Sequence, residues 1–172
     1  MIKIIAAIGK NRELGKNNDL IWHLPGDLKF FKEQTLGSVV AMGKNTFNSL
    51  PKKLPDRKHI VLADDDIFNK DVEDVIVMHD KLEFIKLCNL EAEKADIFII
   101  GGASIYNMFI GLADELYLTE IEAEAPADVY FPEFDKNNWK KEVLSSHEYD
   151  GIKYSHVKYY DRTDYGSYFD LG

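Results

Sequence analysis

The sequence of 172 residues contains a single cysteine, Cys88, so no intramolecular disulfide can form and a reducing compartment is the default expectation. Positive charge is scarce: 21 Lys and Arg stand against 30 Asp and Glu, a formal net charge of −9. Binding to nucleic acid needs a basic footprint that neutralises phosphates, and this composition argues against one. No apolar stretch approaches the roughly 20 residues of a membrane-spanning helix. The N-terminal MIKIIAAIG is too short for a signal peptide and runs straight into polar residues. His23, His59, His79, His147 and His156 are scattered without metal-ligand spacing, so no metal site is expected. No Ser/His/Asp set stands out either. What remains is a chain that is 45% hydrophobic, enough for one globular domain with a real core. The expectation is a soluble, cytoplasmic monomer.

Apolar patterning divides the chain. IKIIAAIG (2–9), SVVAMG (38–43), HIVLA (59–63), VIVM (75–78), ADIFIIGG (95–102) and ELYLTEIEA (115–123) have the pattern of buried strands. Segments 25–34, 44–50, 81–94 and 104–113 read as helices. Leu28, Phe31 and Phe30 form the apolar stripe of the first, and Leu82, Ile85 and Leu90 are expected inward on the third. Cys88 on that third helix reads as core packing. Residues 9–20, rich in Gly, Asn and charge, read as a long loop, a feature that often marks a lid. DDDIFNKDVED (64–74) reads as a solvated acidic loop, and VYFPEF as a Pro-interrupted connection. KEVLSSHEY and KYSHVKYYDR, joined by Asp150-Gly151, predict a closing antiparallel hairpin. TDYGSYFDLG has no clear pattern.

The predicted architecture is α/β: a single domain with a mostly parallel central sheet, helices on both faces and a C-terminal antiparallel hairpin edge. Residues 1–162 form the domain and 163–172 a tail. In open sheets of this kind, ligands bind beyond the carboxyl ends of the strands. That directs attention to 9–24, 43–47, 63–66, 101–106 and 119–124. MGKNTF and GGASIY each put small residues at a helix start, where free N–H donors suit a phosphate. Two such openings in one sheet suggest a ligand with separated phosphates, such as a dinucleotide. Neither is a P-loop or a G-x-G-x-x-G fingerprint, and a plain helix cap explains either one alone.

IWHLPGDLKFFK (21–32) sets Asp27 in a run of aromatic and aliphatic residues. Acids in the first helical turn usually face water; one facing inward needs a hydrogen-bonding partner, which a substrate can supply. One carboxylate, a dinucleotide and an apolar pocket fit hydride transfer, where the cofactor performs the hard step.

IIAAIG, W-x-L-P-x-D-L-x-x-F-K at 22–32, MGKNTF-x-S-L at 42–50, LPDRKHIVL at 54–62, IIGGASIY at 99–106 and LYLTEI at 116–121 resemble bacterial dihydrofolate reductases, in family order from Met1 to about Arg162. The resemblance implies NADPH-dependent reduction of 7,8-dihydrofolate to 5,6,7,8-tetrahydrofolate, with hydride to C6 and a proton to N5, feeding one-carbon metabolism and thymidylate synthesis, and an antifolate target. It implies that Asp27 binds the pterin through its ring N–H and 2-amino group, and that Thr119 steadies it. Trp22 would hold a water beside Asp27, and Leu20 would cap the nicotinamide. Leu28, Phe31, Leu50 and Leu54 would line the pterin and benzoyl cleft with Ile5, Ala6 and Ile100. Arg57 would hold the glutamate α-carboxylate, with Lys32 nearby. Ala7, Leu14, Gly15, Lys44, Asn45, Thr46, Leu62, Ala63, Asp64, Gly101, Gly102, Ala103, Ser104, Ile105 and Tyr106 match cofactor-contacting positions. The bond between Gly101 and Gly102 is expected to be cis.

The sequence departs from the family pattern at several places. Ile21 stands where the family usually has Pro, Ala103 where it often has Gly, and Leu14 where it often has Ile. Ala63 and Asp64 replace the hydroxyl or basic residues that commonly hold the 2′-phosphate of NADPH, so NADH use stays open beside the favoured NADPH. The rival readings are a riboflavin-pathway pyrimidine reductase, which shares the general fold, and a pterin- or dinucleotide-binding protein without turnover.

Overall fold

The computed structural model describes residues 1–64 and 73–164. Two of the expectations, most of the acidic loop at 64–74 and most of the tail at 163–172, lie outside the described residues.

Eight strands form the main sheet, in the order β10-β11-β8-β1-β7-β4-β5-β6. β1 (Ile2–Ile8), β4 (Val39–Gly43), β5 (Lys58–Leu62), β6 (Val75–Met78), β7 (Ile97–Ile99) and β8 (Glu115–Ile121) run parallel to one another. The hairpin strands β10 (Lys140–Tyr149) and β11 (Ile152–Tyr160) close one edge, β11 pairing antiparallel with β8 and β10 antiparallel with β11. Alternation along each strand sorts side chains between two layers. Ile4, Ala6, Ile8, Val39, Ala41, Ile60, Ile97 and Ile99 enter one apolar cluster. Ile5, Val40, Met42, Val61 and Phe98 enter the other. The aliphatic runs seen in the sequence are thus strands covered on both faces.

Helix α1 (Pro25–Thr35) starts with Pro at its first turn, where the missing N–H loses no hydrogen bond. Short helices α2 (Lys44–Ser49) and α4 (Ala103–Phe109) follow β4 and β7 directly, and α3 (Lys81–Ala92) follows β6. The face of α3 differs from expectation. Phe84 and Cys88 are fully buried, whereas Leu82 and Leu90 are exposed. Successive helical residues turn by about 100°, so 84 and 88 share a face while 82 and 90 lie round the far side; only Ile85 keeps its expected contact with the core.

Residues 9–20 are not the featureless loop that their composition suggests. They contain β2 (Glu13–Lys16) and β3 (Asp19–Leu20), which join β9 (Val129–Tyr130) in a small antiparallel sheet. Asn17 and Asn18, at φ 54° and 61°, make the two-residue turn. Asparagine tolerates that left-handed conformation, which matches the twist of a tight hairpin. The segment is pinned to its neighbours by Glu13, whose carboxylate accepts from Asn11 N at 2.6 Å and Ala125 N at 2.9 Å. Asp128 Oδ2 accepts from Asn17 N at 2.9 Å. Asp150 and Gly151, at φ 51° and 78°, turn the closing hairpin as predicted.

Candidate active site

Several of the residues that the sequence singled out follow the carboxyl ends of parallel strands, Asn45 and Thr46 after β4 and Gly101 to Ser104 after β7, while Asp27, Leu28 and Phe31 stand on α1 and Arg57 precedes β5. Pro25 and the short 21–24 approach aim the first turn of α1 at β8, and Asp27 turns inward there. Its side chain is a quarter exposed. The hydroxyl of Thr119 on β8 donates to Asp27 Oδ1. Burial pushes the Asp27 carboxyl above its ordinary value, and the Thr119 hydrogen bond pulls against that rise. Among the described residues, no Lys or Arg forms an ion pair with it.

His156 is the group that the sequence reading missed. It sits on β11 opposite Thr119 in the strand register. Its Nδ1 lies 3.0 Å from Thr119 Oγ1 and 3.8 Å from Asp27 Oδ1. The imidazole stacks on Phe30 at a centroid distance of 3.9 Å. Burial first, and His147 second, lower its pKa to about 4. It is neutral at pH 7, so the short approach to Asp27 is not an ion pair there. The alternation of Tyr154 and His156 was visible in KYSHVKYY; the register that brings the ring to Asp27 was not.

Around the acid, the expected apolar lining assembles in part. Phe31, Leu50, Leu54 and Ile100 pack, partly buried, against the layer that contains Ile5. Ala7 and Trp22 pack against Leu24, Ile121 and Tyr154. Leu28 and Leu20 expose 54% and 59% of their surface, available to a ligand rather than committed to the core. Arg57 is buried, with Nε donating to Thr35 Oγ1 at 2.9 Å and Nη2 to the Lys32 carbonyl at 2.6 Å. His59 holds the same stretch: its Nε2 accepts from Leu54 N at 3.0 Å. Lys32 itself is exposed.

The two glycine-led turns meet beside this cleft. The cis bond between Gly101 and Gly102 is present, and Gly43 N donates to Gly101 O at 2.9 Å. A Cβ placed on Gly102 would come within 3.7 Å of Thr46 Oγ1, and one on Gly43 within 3.3 Å of Ile105. Asn45, Thr46, Ala103 and Ser104 lie in the first turns of α2 and α4, whose opening N–H groups have no partner within the helix. Lys44 opens α2. Gly15 is buried in β2.

Other cofactor candidates face elsewhere. Ile105 and Tyr106 are buried in the opposite core layer, as is Ala6 of the expected pterin lining, and Leu14 and Leu62 pack against that layer. These residues can meet a ligand only through backbone or an exposed edge. The Tyr106 hydroxyl is already used, donating to Ile5 O at 2.8 Å. Ala63 is buried, with its carbonyl 2.6 Å from His79 Nδ1, while Asp64 is exposed.

Comparison with known proteins matches this arrangement. A family profile described as dihydrofolate reductase covers residues 1–162. The dihydrofolate reductase of Bacillus subtilis (strain 168) is 41% identical over 140 residues, 81% of this chain and 80% of its own length. That of Staphylococcus aureus is 37% identical over 147 residues, 86% of each chain. A solved dihydrofolate reductase from Enterococcus faecalis, complexed with NADP(H) and RAB-propyl, superposes with a TM-score of 0.81 at 32% identity, covering 95% of this chain and 97% of that one. An inward carboxylate on a Trp-x-Leu-Pro-x-Asp helix, two glycine-led turns at one strand edge and these matches along nearly the whole chain place it in the dihydrofolate reductase family.

Proposed function

We infer the division of labour in this site from the placement of Asp27, the observation that carries the reading. The reaction is the NADPH-dependent reduction of 7,8-dihydrofolate to 5,6,7,8-tetrahydrofolate. Bound NADPH supplies the hydride for C6 of the pterin. The turns at 43–46 and 101–104 fit its phosphates: they open short helices whose first N–H groups have no partner within the helix, and a Cβ on Gly102 would come within 3.7 Å of Thr46 Oγ1 across the space between them.

Asp27 accepts from the pterin ring N–H and 2-amino group, a paired geometry that fixes the ring plane. Among the described residues no Lys or Arg pairs with its charge, so the ligand provides the compensation that burial demands. That charge favours protonation at N5, with the proton arriving from water in the closed cleft. Thr119 holds the carboxylate in line. Phe31, Leu28, Leu50, Leu54, Ile5 and Ile100 cover the rings, and Trp22 and Leu20 close the side towards the nicotinamide. Arg57 keeps two of its five N–H donors for the substrate's glutamate carboxylate after bonding Thr35, Pro55 and Lys32. Ala63 and Asp64 give little to a 2′-phosphate, so comparison of KM for NADPH and NADH measures how far the remaining cofactor contacts set the preference.

The reading extends to a monomer in the cytoplasm, supported by the net charge of −9, with 1–162 as the catalytic domain and 163–172 as a tail. The test is spectrophotometric. Nicotinamide absorbance should fall only when dihydrofolate, NADPH and protein are all present. Asp27→Asn should lower turnover at pH 7 by on the order of 10²–10³-fold while leaving NADPH affinity within about twofold. Parental turnover in Asp27→Asn would contradict the assignment of the acid; no turnover by the parent protein would favour a binding protein.

A further inference from the structure

The Thr119 hydroxyl has two polar neighbours and one proton. An ionised Asp27 can only accept, so the proton of Thr119 goes to Asp27. The contact of 3.0 Å between Thr119 Oγ1 and His156 Nδ1 must then carry a proton from the imidazole. We propose that His156 is a positioning residue for the reductase reaction, donating from Nδ1 to Thr119 so that the threonine hydroxyl is locked onto Asp27. The proposal rests on the reading of Asp27 as the site's acid and adds the group behind it.

Three features give the imidazole this task. It is buried and fixed in orientation by its stack on Phe30, at 3.9 Å and 14° between planes, and Phe30 stands on the same helix as Asp27. The β8–β11 ladder pairs His156 with Thr119, so sheet hydrogen bonds set the distance. A hydroxyl that accepts a hydrogen bond becomes a better donor, so the chain from imidazole to hydroxyl to carboxylate is cooperative. The ring supports the acid without neutralising it, which leaves the negative charge of Asp27 for the pterin.

The surroundings are consistent with a neutral ring. Titratable groups facing it are His147 on β10, with centroids 5.2 Å apart, Tyr154 on β11 at 5.6 Å, and Asp27 on α1. Tyr106 on α4 feels the field of Asp27, and the Tyr154 hydroxyl stands over Gly26, where a Cβ would meet it at 2.5 Å. Within this set there is no fixed positive charge. Protonation of Asp27 would let the relay reverse: the acid donates to Thr119, Thr119 donates to Nδ1, and the imidazole proton moves to Nε2. The imidazole tautomer therefore reports the state of the acid.

Two measurements test this. In the intact protein at pH 7, imidazole ¹⁵N shifts should show His156 neutral with the proton on Nδ1; an Nε2–H tautomer or an imidazolium would overturn the proposal without any variant. In His156→Phe, which keeps the ring stack, the Asp27 carboxyl ¹³C titration should move up by about half a pH unit or more, since the charged form loses support. The kcat/KM for dihydrofolate should drop three- to tenfold with the KM for NADPH unchanged. His156→Asn, whose amide N–H can stand near the Nδ1 position, should recover most of both. An unshifted Asp27 titration in folded His156→Phe would overturn the proposal, as would equal defects in the Phe and Asn variants. Failure of the Asp27 assignment itself is distinguishable, because Asp27→Asn would then turn over normally whatever the imidazole tautomer.

Discussion

At the scale of single residues, the site is built from groups held against their own preference. Burial opposes the charge of Asp27, so its ionised form lowers stability in proportion to its use. Asp27→Asn keeps the shape and the Thr119 contact, and should raise stability at pH 7 by about 0.5–2 kcal/mol, seen as a higher midpoint in urea, while turnover falls. The Arg57 guanidinium ties α1 to the segment at 55–57, and the proposed function gives its remaining donors to the substrate. Arg57→Lys loses the planar fork. It should cost about 1–3 kcal/mol through the unsatisfied Thr35 and Lys32 partners and raise KM for dihydrofolate tenfold or more with kcat little changed. A kcat loss with unchanged KM would place its role elsewhere. Cys88, fully buried with a thiol pushed up to about 12, should resist thiol reagents in the native protein and react only on unfolding.

At the scale of elements, what could be read from the sequence depended on whether a local pattern determined the outcome. The aliphatic runs of β1, β4 and β5 are near-continuous because both faces are covered, and their place in the chain follows directly. Asp150-Gly151 marks its turn by residue type alone. The face of α3 failed because its leucines, the most conspicuous apolar residues, lie off the row formed by Phe84 and Cys88. The 9–20 segment failed because its strands are short and polar, and their partner, β9, lies more than a hundred residues away. The signal was present in Asn17-Asn18, a pair suited to a left-handed two-residue turn. Asn17→Val should destabilise that turn, because a β-branched residue resists positive φ. Amide exchange across 13–20 should accelerate while exchange in β1 stays slow. His156 was illegible for a different reason: a histidine on a strand acquires meaning only once the register against Thr119 is known.

At the scale of the molecule, the electrostatic arrangement predicts how the enzyme responds to acid. His156 and His59 are both held neutral by burial, with pKa values below the ordinary 6.5 and that of His156 near 4. An unfolded chain therefore binds more protons than the native one between about pH 6.5 and pH 4, and stability falls as pH drops through that window. Each buried histidine contributes a slope of up to about 1.4 kcal/mol per pH unit. Glu13, Asp96 and Glu120, whose pKa values are lowered by hydrogen bonds or cations, add losses below their ordinary values. Asp27 works in the opposite direction, since its raised pKa means that protonation relieves strain as pH falls. The balance is acid sensitivity, and urea midpoints at pH 7 and pH 5 should show a clear decrease. A midpoint that rises towards pH 5 would mean that the Asp27 contribution outweighs the histidines.

The most direct measurement separates the two halves of the cleft. Dihydrofolate and NADPH binding should be titrated independently, by fluorescence quenching at pH 7, in the parent protein and in Asp27→Asn. The expected result is dihydrofolate affinity weakened at least tenfold with NADPH affinity unchanged, because the proposed function gives the Asp27 carboxylate to the pterin edge and not to the cofactor. Equal dihydrofolate affinity in both proteins would contradict it.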